Sequence, residues 1–521
     1  MVRSRWRPGK PWRFDGFAFH EGSRGFELRV GRLRISQSTY LLAAAILVGV
    51  GGGWGAVLFR ALIGYETTLA GMLTALLAHV AGPAALALTV GIGGAVAAWV
   101  AARFAPEARG HGVPEVMAAV ALRGGVMRPR TILVKALASA TTIGFGGAAG
   151  REGPIVQIGS AIGSVLGQLA HAPAPIVRTL VACGAAAGIS ATFNAPIGGV
   201  FFASEVILGD FAPRAFATVV VASVVSAVIG RAVLGNRPSF DASAFVLVSP
   251  RELWLYALLG VACAFWAWGF VKLLYALEDG ADRVRLPAAA KGFLGFALVG
   301  ALGTFVPQIL GVGYAAMQHV LDGHVGLGRA VALAALKPVA TSLTLAAGGS
   351  GGVFAPSLFT GAMLGDAFGR VVHTAFPLWT ATPAAYGLVA MAAIFGAAAE
   401  APITAIVIVF EMSDDYTIIL PLMIATVVAT VLGRRLLGST VYEMKLERRG
   451  IDWQRVRRPP PIANATVVAR TDERVADVLA RLPDDARAIA VVSGDRIVRV
   501  IDASVLPEAL ARSQTAALRD L

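Results

Sequence analysis

Apolar segments fill this chain from Tyr40 to Leu437, and several are too short to cross a membrane. A straight helix needs about 20 residues to span roughly 30 Å of hydrocarbon. Segments 40–63, 215–234, 252–277 and 418–437 meet that length, whereas 115–123, 196–208 and 402–412 do not. Lipid offers no partner for a bare backbone N–H or C=O, so short segments must end inside the protein. Half-helices meeting at depth around a protected polar region satisfy that demand. The pattern predicts an all-α polytopic membrane protein of tilted and broken helices. Only 15% of the residues are charged, against about 25% in an average soluble domain. The 60 glycines and 26 prolines suit helices that break.

The chain repeats itself. Lys135 in VKALAS matches Lys337 in LKPVAT, 202 positions on. Gly146, Gly147, Gly150, Pro154 and Gly159 match Gly348, Gly349, Gly352, Pro356 and Gly361 at the same spacing. Further on, NAPIGGVFFASE and EAPITAIVIVFE pair Pro196 with Pro402 and Glu205 with Glu411, 206 apart. GHGV at Gly110 has a counterpart in GVGY at Gly311. Membrane transport proteins are often built of two such halves, with the site where they meet. An odd number of crossings between the halves would make the repeat inverted.

Between Gly144 and Gly159 the charges of Arg151 and Glu152 stand in almost wholly apolar surroundings. Charge at membrane depth is kept mainly along a polar pathway. Pro154 suits the first turn of a helix, where its missing N–H costs nothing. A glycine-rich loop running into a helix start aims free N–H groups and a positive dipole end at an anion. The stretch reads as an anion site holding one titratable carboxylate.

GHGVP (Gly110–Pro114), GREGP (Gly150–Pro154), GGVFAP (Gly351–Pro356) and Tyr442 in STVYEMKL resemble the anion-site signature of the CLC chloride channels and chloride/proton exchangers. The resemblance covers about Tyr40 to Arg449 and is of the bacterial type. It implies a homodimer with a separate pore in each subunit, each subunit an inverted repeat. It also implies that His111, Gly112, Gly150, Arg151, Gly153, Val353, Phe354 and Tyr442 line an anion path. The amides of Val353 and Phe354 and the Tyr442 hydroxyl would donate to chloride or another small anion without a full cation to trap it. Glu152 resembles the external gating glutamate. As a carboxylate it would occupy the anion position; once protonated it would swing away. A Glu152 merely paired with Arg151 is the plainer alternative.

Two positions depart from the pattern. His111 stands where the family often has serine; its neutral ring can still donate one N–H to an anion, or it can face away. Val206 stands where proton-coupled members commonly carry an internal glutamate, and valine relays no proton. The main expectation is therefore a voltage- or pH-gated chloride channel, with chloride/proton antiport as the alternative. Glu205 and Glu411 read as structural, hydrogen-bonded acids, and Lys135 and Lys337 as residues that pair or snorkel, or attract anions to the inner mouth. Glu115 offsets a helix dipole, Asn194 opens its half-helix as a cap, and Asp414 with Asp415 marks a helix end in water.

A remote alternative of another class is an intramembrane serine hydrolase, because Gly348–Gly352 formally fits G-x-S-x-G and His373 lies downstream. The motif needs a strand-to-helix elbow and a positioned base. The counterpart loop, Gly146–Gly150, has no serine, so no catalytic residue and no enzyme activity are expected.

The net charge of +13 sits at the ends. Met1–Arg34 carries nine Arg or Lys against three acids, and a second basic cluster runs from Arg434 to Arg458. Under the positive-inside rule this places both termini in the cytoplasm and argues against nucleic acid. The chain divides into a basic segment 1–39, a membrane domain 40–449, a basic Pro-rich linker 450–462 and a module 463–521. The amphipathic stretch Phe26–Ile35 is expected to lie on the inner membrane surface, and a first apolar run at Tyr40 fits no cleaved signal peptide. TVVAR reads as a strand, ERVADVLARL as a helix, AIAVVSG with RIVRVI as a hairpin, and ASVLPEALARS as a last helix. That order resembles a single cystathionine-beta-synthase-type (CBS) repeat, which implies pairing across a dimer and a site for adenine nucleotide. No other cofactor and no metal are expected, since Cys183 and Cys263 show neither disulfide nor zinc spacing.

Overall fold

The computed structural model describes residues 17–22, 25–30, 33–236, 239–240, 247–451, 453, 465–480, 482, 488–493, 496–502, 506 and 518. Two compact units divide it, Met1–Lys445 and Leu446–Leu521.

The first unit opens with an antiparallel sheet of three strands, β1 (Phe17–Gly22), β2 (Gly25–Val30) and β3 (Leu33–Ser36). Phe26–Ile35 is thus a hairpin. Its apolar residues Phe26, Leu28, Val30, Leu33 and Ile35 follow the period of two that belongs to strands. The Ser36 hydroxyl accepts from the Thr39 amide at 3.3 Å and starts helix α1 (Gln37–Ala81). This helix outruns the apolar segment 40–63 because Thr67 and Thr68 bond back to the Ile63 and Gly64 carbonyls and hide their hydroxyls.

The first repeat continues through α2 (Ala85–Phe104), α3 (Val113–Leu122), α4 (Arg130–Gly144), α5 (Glu152–Leu169), α6 (Ala174–Phe193), α7 (Pro196–Phe202) and α8 (Pro213–Leu234). A π-turn, Ala203–Leu208, extends α7. After α9 (Leu253–Arg283), the second repeat follows the same plan. It comprises α10 (Ala288–Phe305), α11 (Tyr314–Leu321), α12 (Leu327–Ala346), α13 (Phe354–Ala375), α14 (Pro383–Ala399), α15 (Pro402–Ser413) and α16 (Ile419–Leu437). A short helix, α17 (Val441–Glu447), carries Tyr442. Helix α11 lies between the apolar segments 291–310 and 330–346; it is the counterpart of α3, and only two turns long, so it offers little apolar period to read. Among the described residues, seven helical stretches are long and apolar enough to cross a membrane.

Glycines let α5 lie on α6 and α13 on α14. A Cβ at Gly159 would come 2.1 Å from the Gly184 carbonyl oxygen, and one at its counterpart Gly361 would come 2.4 Å from that of Ala390. Backbones this close gain dispersion contacts that larger residues would forbid, the usual device for joining helices in lipid.

Both helix junctions before the half-helices turn through a left-handed residue. Asn194 (φ 58°) ends α6 and Glu400 (φ 53°) ends α14. Asn194 is therefore a C-terminal cap and does not open α7; short polar side chains tolerate that conformation. Its Oδ1 accepts from Arg231 at 2.6 Å, as Glu400 pairs with Arg434 at 2.9 Å. Asp414 (φ 54°) ends α15 in solvent, whereas Asp415 is buried and accepts from the Thr417 amide at 2.9 Å.

The reciprocity of certain contacts defines how the halves relate. Gly150 donates to the Gly352 carbonyl at 2.8 Å, and Gly352 donates back to Gly150 at 2.7 Å, in an antiparallel bridge. Counterpart residues can exchange equivalent bonds only across a twofold axis, and an antiparallel exchange means the axis reverses the chain. The repeat is inverted.

In the second unit, β4 (Ala465–Arg470) pairs parallel with β5 (Ala488–Ser493), and β5 pairs antiparallel with β6 (Arg496–Asp502). Helix α18 (Val475–Ala480) buries Val475 and Val478 against Ile489 and Val491, with Leu479 and Leu482 alongside. This is a small α+β module. Most of the linker 450–462 and of the expected last helix lies outside the described residues.

Candidate anion site

Three loops converge in the first unit. Besides the Gly150–Gly352 exchange, Gly110 donates to Gly349 O at 3.0 Å and Gly351 donates to Gly110 O at 3.2 Å. Each loop leads into a helix start: Gly112 into α3, Arg151 into α5 and Val353 into α13. The first turn of a helix leaves its amides without helical acceptors. Three such ends at one place make a strongly N–H-rich, anion-seeking region.

Glu152 reaches across it. Its carboxylate, buried at 2% exposure, accepts from the Ala355 amide in the first turn of α13 at 2.5 Å. Its second oxygen has no hydrogen-bond partner among the described residues. The bare backbone of Gly150 makes room, since a Cβ there would stand 1.8 Å from the bonded oxygen. Pairing with Arg151 is not what holds it. That guanidinium donates to Thr192 O at 3.3 Å and lies 4.8 Å over the Tyr314 ring. No ion pair joins the two among the described residues.

Val353 caps α13, and the Phe354 ring is gripped between Phe193 at 5.2 Å and Phe395 at 4.3 Å. Tyr442 is buried. Gly112 and Gly153 are glycines because the two strands of backbone touch: a Cβ on Gly153 would be 2.0 Å from His111 O, and one on Gly112 2.6 Å from Gly153 O. The His111 imidazole is turned toward α9, with Nε2 3.9 Å from Glu278.

Among the described residues the buried lysines neither pair with a carboxylate nor snorkel. Lys135 donates to the carbonyls of Ala108 and Gly110 at 2.9 and 2.8 Å, and Lys337 to those of Ile309 and Gly311 at 2.8 and 2.7 Å. Both are 0% exposed. Each ammonium thus clamps the loop ahead of α3 or α11, because inside the protein only backbone carbonyls satisfy its donors. Nor do they stand at a mouth to attract anions.

Glu205 and Glu411 are structural, as expected. Glu205 accepts from the Ile403 and Thr404 amides at the start of α15, at 3.3 and 2.8 Å. Glu411 accepts from Ile197 and Gly198 at the start of α7, at 2.9 and 2.6 Å. Val206 follows Glu205 in the π-turn. Glu115 sits in the first turn of α3 as expected.

Ser350 and His373 do not form a dyad. The Ser350 hydroxyl donates to Ala108 O at 2.5 Å and contacts the Ser139 hydroxyl at 2.8 Å, while His373 Nδ1 is 3.0 Å from Thr380. Among the described residues no group of His, Cys, Asp and Glu is arranged to hold a metal ion.

Sequence reasoning missed the Ala355 amide, Tyr314 and Glu278. Tyr314 had a signal, since it follows the Gly311–Gly313 counterpart of Gly110–Gly112. Glu278 fell one residue past the segment 252–277, and nothing in one dimension ties it to His111.

Membrane-length helices in two inverted halves, meeting at helix N-termini on which a carboxylate is docked, define a membrane transport protein. The family described as voltage gated chloride channel matches residues 93–434, and the chain belongs to that family. It is 34% identical over 354 residues to a ClcB-like chloride channel protein of Ralstonia nicotianae, covering 67% of this chain and 82% of that one. It is also 34% identical to the H(+)/Cl(-) exchange transporter ClcA of Cronobacter sakazakii, over 66% of this chain and 76% of the relative. Among solved structures, a slow cyanobacterial Cl-/H+ antiporter superposes with a TM-score of 0.73 at 28% identity, over 78% of this chain and 97% of that one. A eukaryotic CLC transporter shares the fold at TM-score 0.68 and 18% identity, over 92% of each chain.

Proposed function

We propose that the protein exchanges chloride for protons across the membrane, with Glu152 as the group that alternates with the anion. The observation that carries this reading is the Glu152 carboxylate seated on the Ala355 amide where the three loops meet. An anion binding the α13 amides must displace that carboxylate, because two like charges cannot share one set of donors. A protonated Glu152 loses the charge that holds it there. Gly112, Gly150, Arg151, Gly153, Val353, Phe354 and Tyr442 line the path, with His111 at its Tyr442 end.

Val206 favours a passive channel, and exchange is preferred over it because the relatives include proteins named as H(+)/Cl(-) exchangers and a Cl-/H+ antiporter. In this reading the protein is a homodimer of the inner or plasma membrane, as the family resemblance implies, and the basic residues at the chain ends support cytoplasmic termini.

Purified protein reconstituted in vesicles tests the proposal. A chloride gradient should drive protons uphill, and chloride flux should rise as the pH on the Arg151 side falls, since protonation frees the amides. Glu152→Gln should move chloride without protons and with no such pH dependence. Wild-type protein that passes chloride but no protons is a channel.

A further inference from the structure

In the exchange reading, a proton taken up at Glu152 from the Arg151 side must leave toward the Tyr442 end, and Val206 cannot carry it there. Glu205 beside it is occupied, since its oxygens accept from the Ile403 and Thr404 amides and from the Thr404 hydroxyl. We propose that Glu278 on α9, acting with His111, is a second proton site that does. The inference rests on the exchange reading above.

Glu278 is buried and its two oxygens face different ways. Oε2 takes the Lys445 ammonium, whose side chain is 22% exposed and so reaches toward solvent. Oε1 lies 3.9 Å from Nε2 of His111, whose side chain is 0% exposed. The pair is tied to the anion path from two sides. Lys445 is one turn beyond Tyr442 on α17. Tyr275, one turn before Glu278 on α9, donates to the Val441 carbonyl and holds its ring 6.3 Å from that of His111. On the other side, the His111 backbone touches Gly153, the neighbour of Glu152.

Arg109 pairs with Asp282 at 3.5 Å. Lys337 on α12 holds carbonyls, Asp366 and Arg370 on α13 pair with each other, and Arg434 on α16 pairs with Glu400. Tyr386 on α14 donates to Glu252 at the far end of α9. The other charged side chains nearby are Arg329 on α12, Arg435 on α16, Lys272, Asp279 and Arg283 on α9 itself, and Glu443 and Glu447 on α17.

The chemistry needs no other reactant. In the reverse direction, a proton from solvent bonds to Glu278 Oε2 beside Lys445, and rotation of the neutral carboxyl about its Cγ–Cδ bond turns that O–H toward His111. That O–H bond breaks as an N–H bond forms at His111 Nε2, leaving an imidazolium opposite a carboxylate. The imidazolium then gives up a proton to the Glu152 carboxylate, which leaves the Ala355 amide, and neutral His111 is restored. Imidazole suits the middle place because it gains and loses a proton near neutral pH and has two nitrogens to do so.

The test is the ratio of protons to chloride in vesicles of full-length protein under crossed chloride and pH gradients. In Glu278→Gln, chloride-driven proton flux should fall about a hundredfold, the lower end for losing a positioned acid–base group. Glu278→Asp should restore measurable coupling, which a purely structural ion pair would not require. His111→Ser should uncouple likewise and stands in if the glutamine variant does not assemble. Coupled wild type with equally coupled Glu278→Gln or His111→Ser overturns this inference and leaves exchange standing. Wild type that moves no protons overturns both.

Discussion

Replacing Lys337 with methionine removes the ammonium and keeps most of the side chain's length. The Ile309 and Gly311 carbonyls, held at 2.8 and 2.7 Å, then face no donor. An orphaned buried polar group costs about 1–3 kcal/mol, so the pair costs roughly 2–6 kcal/mol. Packing offsets little of this, because the methionine sulfur can take over the contact with the Phe359 ring, which the ammonium now meets at 5.0 Å. An unfolding entropy of about 2.1 cal/mol/K per residue gives roughly 1 kcal/mol per degree for a unit of this size, so the melting temperature should drop about 2–6 °C. Thermal melting of the detergent-solubilised protein, followed by tryptophan fluorescence, measures it. Lys135→Met should fall by a similar amount, since its geometry is the same. A Lys337→Met protein that melts within about 1 °C of wild type would refute the clamp. A large loss at only one of the two lysines would refute the equivalence of the halves.

Gly150→Ala should mimic an open gate. Its Cβ would stand 1.8 Å from the bonded Glu152 oxygen, so the carboxylate must leave the Ala355 amide; chloride flux should then lose its pH dependence, and a wild-type pH profile would show the carboxylate is placed wrongly here. Glu205→Ala and Glu411→Ala each uncap a half-helix and should cost about 1–2 kcal/mol in the same melting assay. The loss should be greater for Glu205, which holds three donors against two.

The fold was legible to the extent that it follows from period and spacing. Glycines and prolines 202 apart expose the repeat because close helix contacts and helix starts demand those residue types wherever they recur. Segment ends fell within a few residues for most helices. Helix α11 escaped because two turns give too few apolar positions to show a period. Lys135 and Lys337 were misread because the sequence shows a cation in apolar company but not the carbonyls waiting for it. Asn194 was misread because one residue of polar type serves either end of a helix, and only φ tells which. The site was legible as a set of loops. The bond from Glu152 to Ala355, between residues 203 positions apart, exists only once the axis brings the loops together.

Glu205 closes the helix that begins at Pro402, and Glu411 closes the helix that begins at Pro196. Such swapping is what a self-complementary pair of identical molecules does at its dyad. Neither half possesses the side chain that finishes its own half-helix. Cut between α8 and α10, each fragment would carry a plug made for the other and a socket it cannot fill. The single polypeptide is, in its bonding, two subunits that have become inseparable.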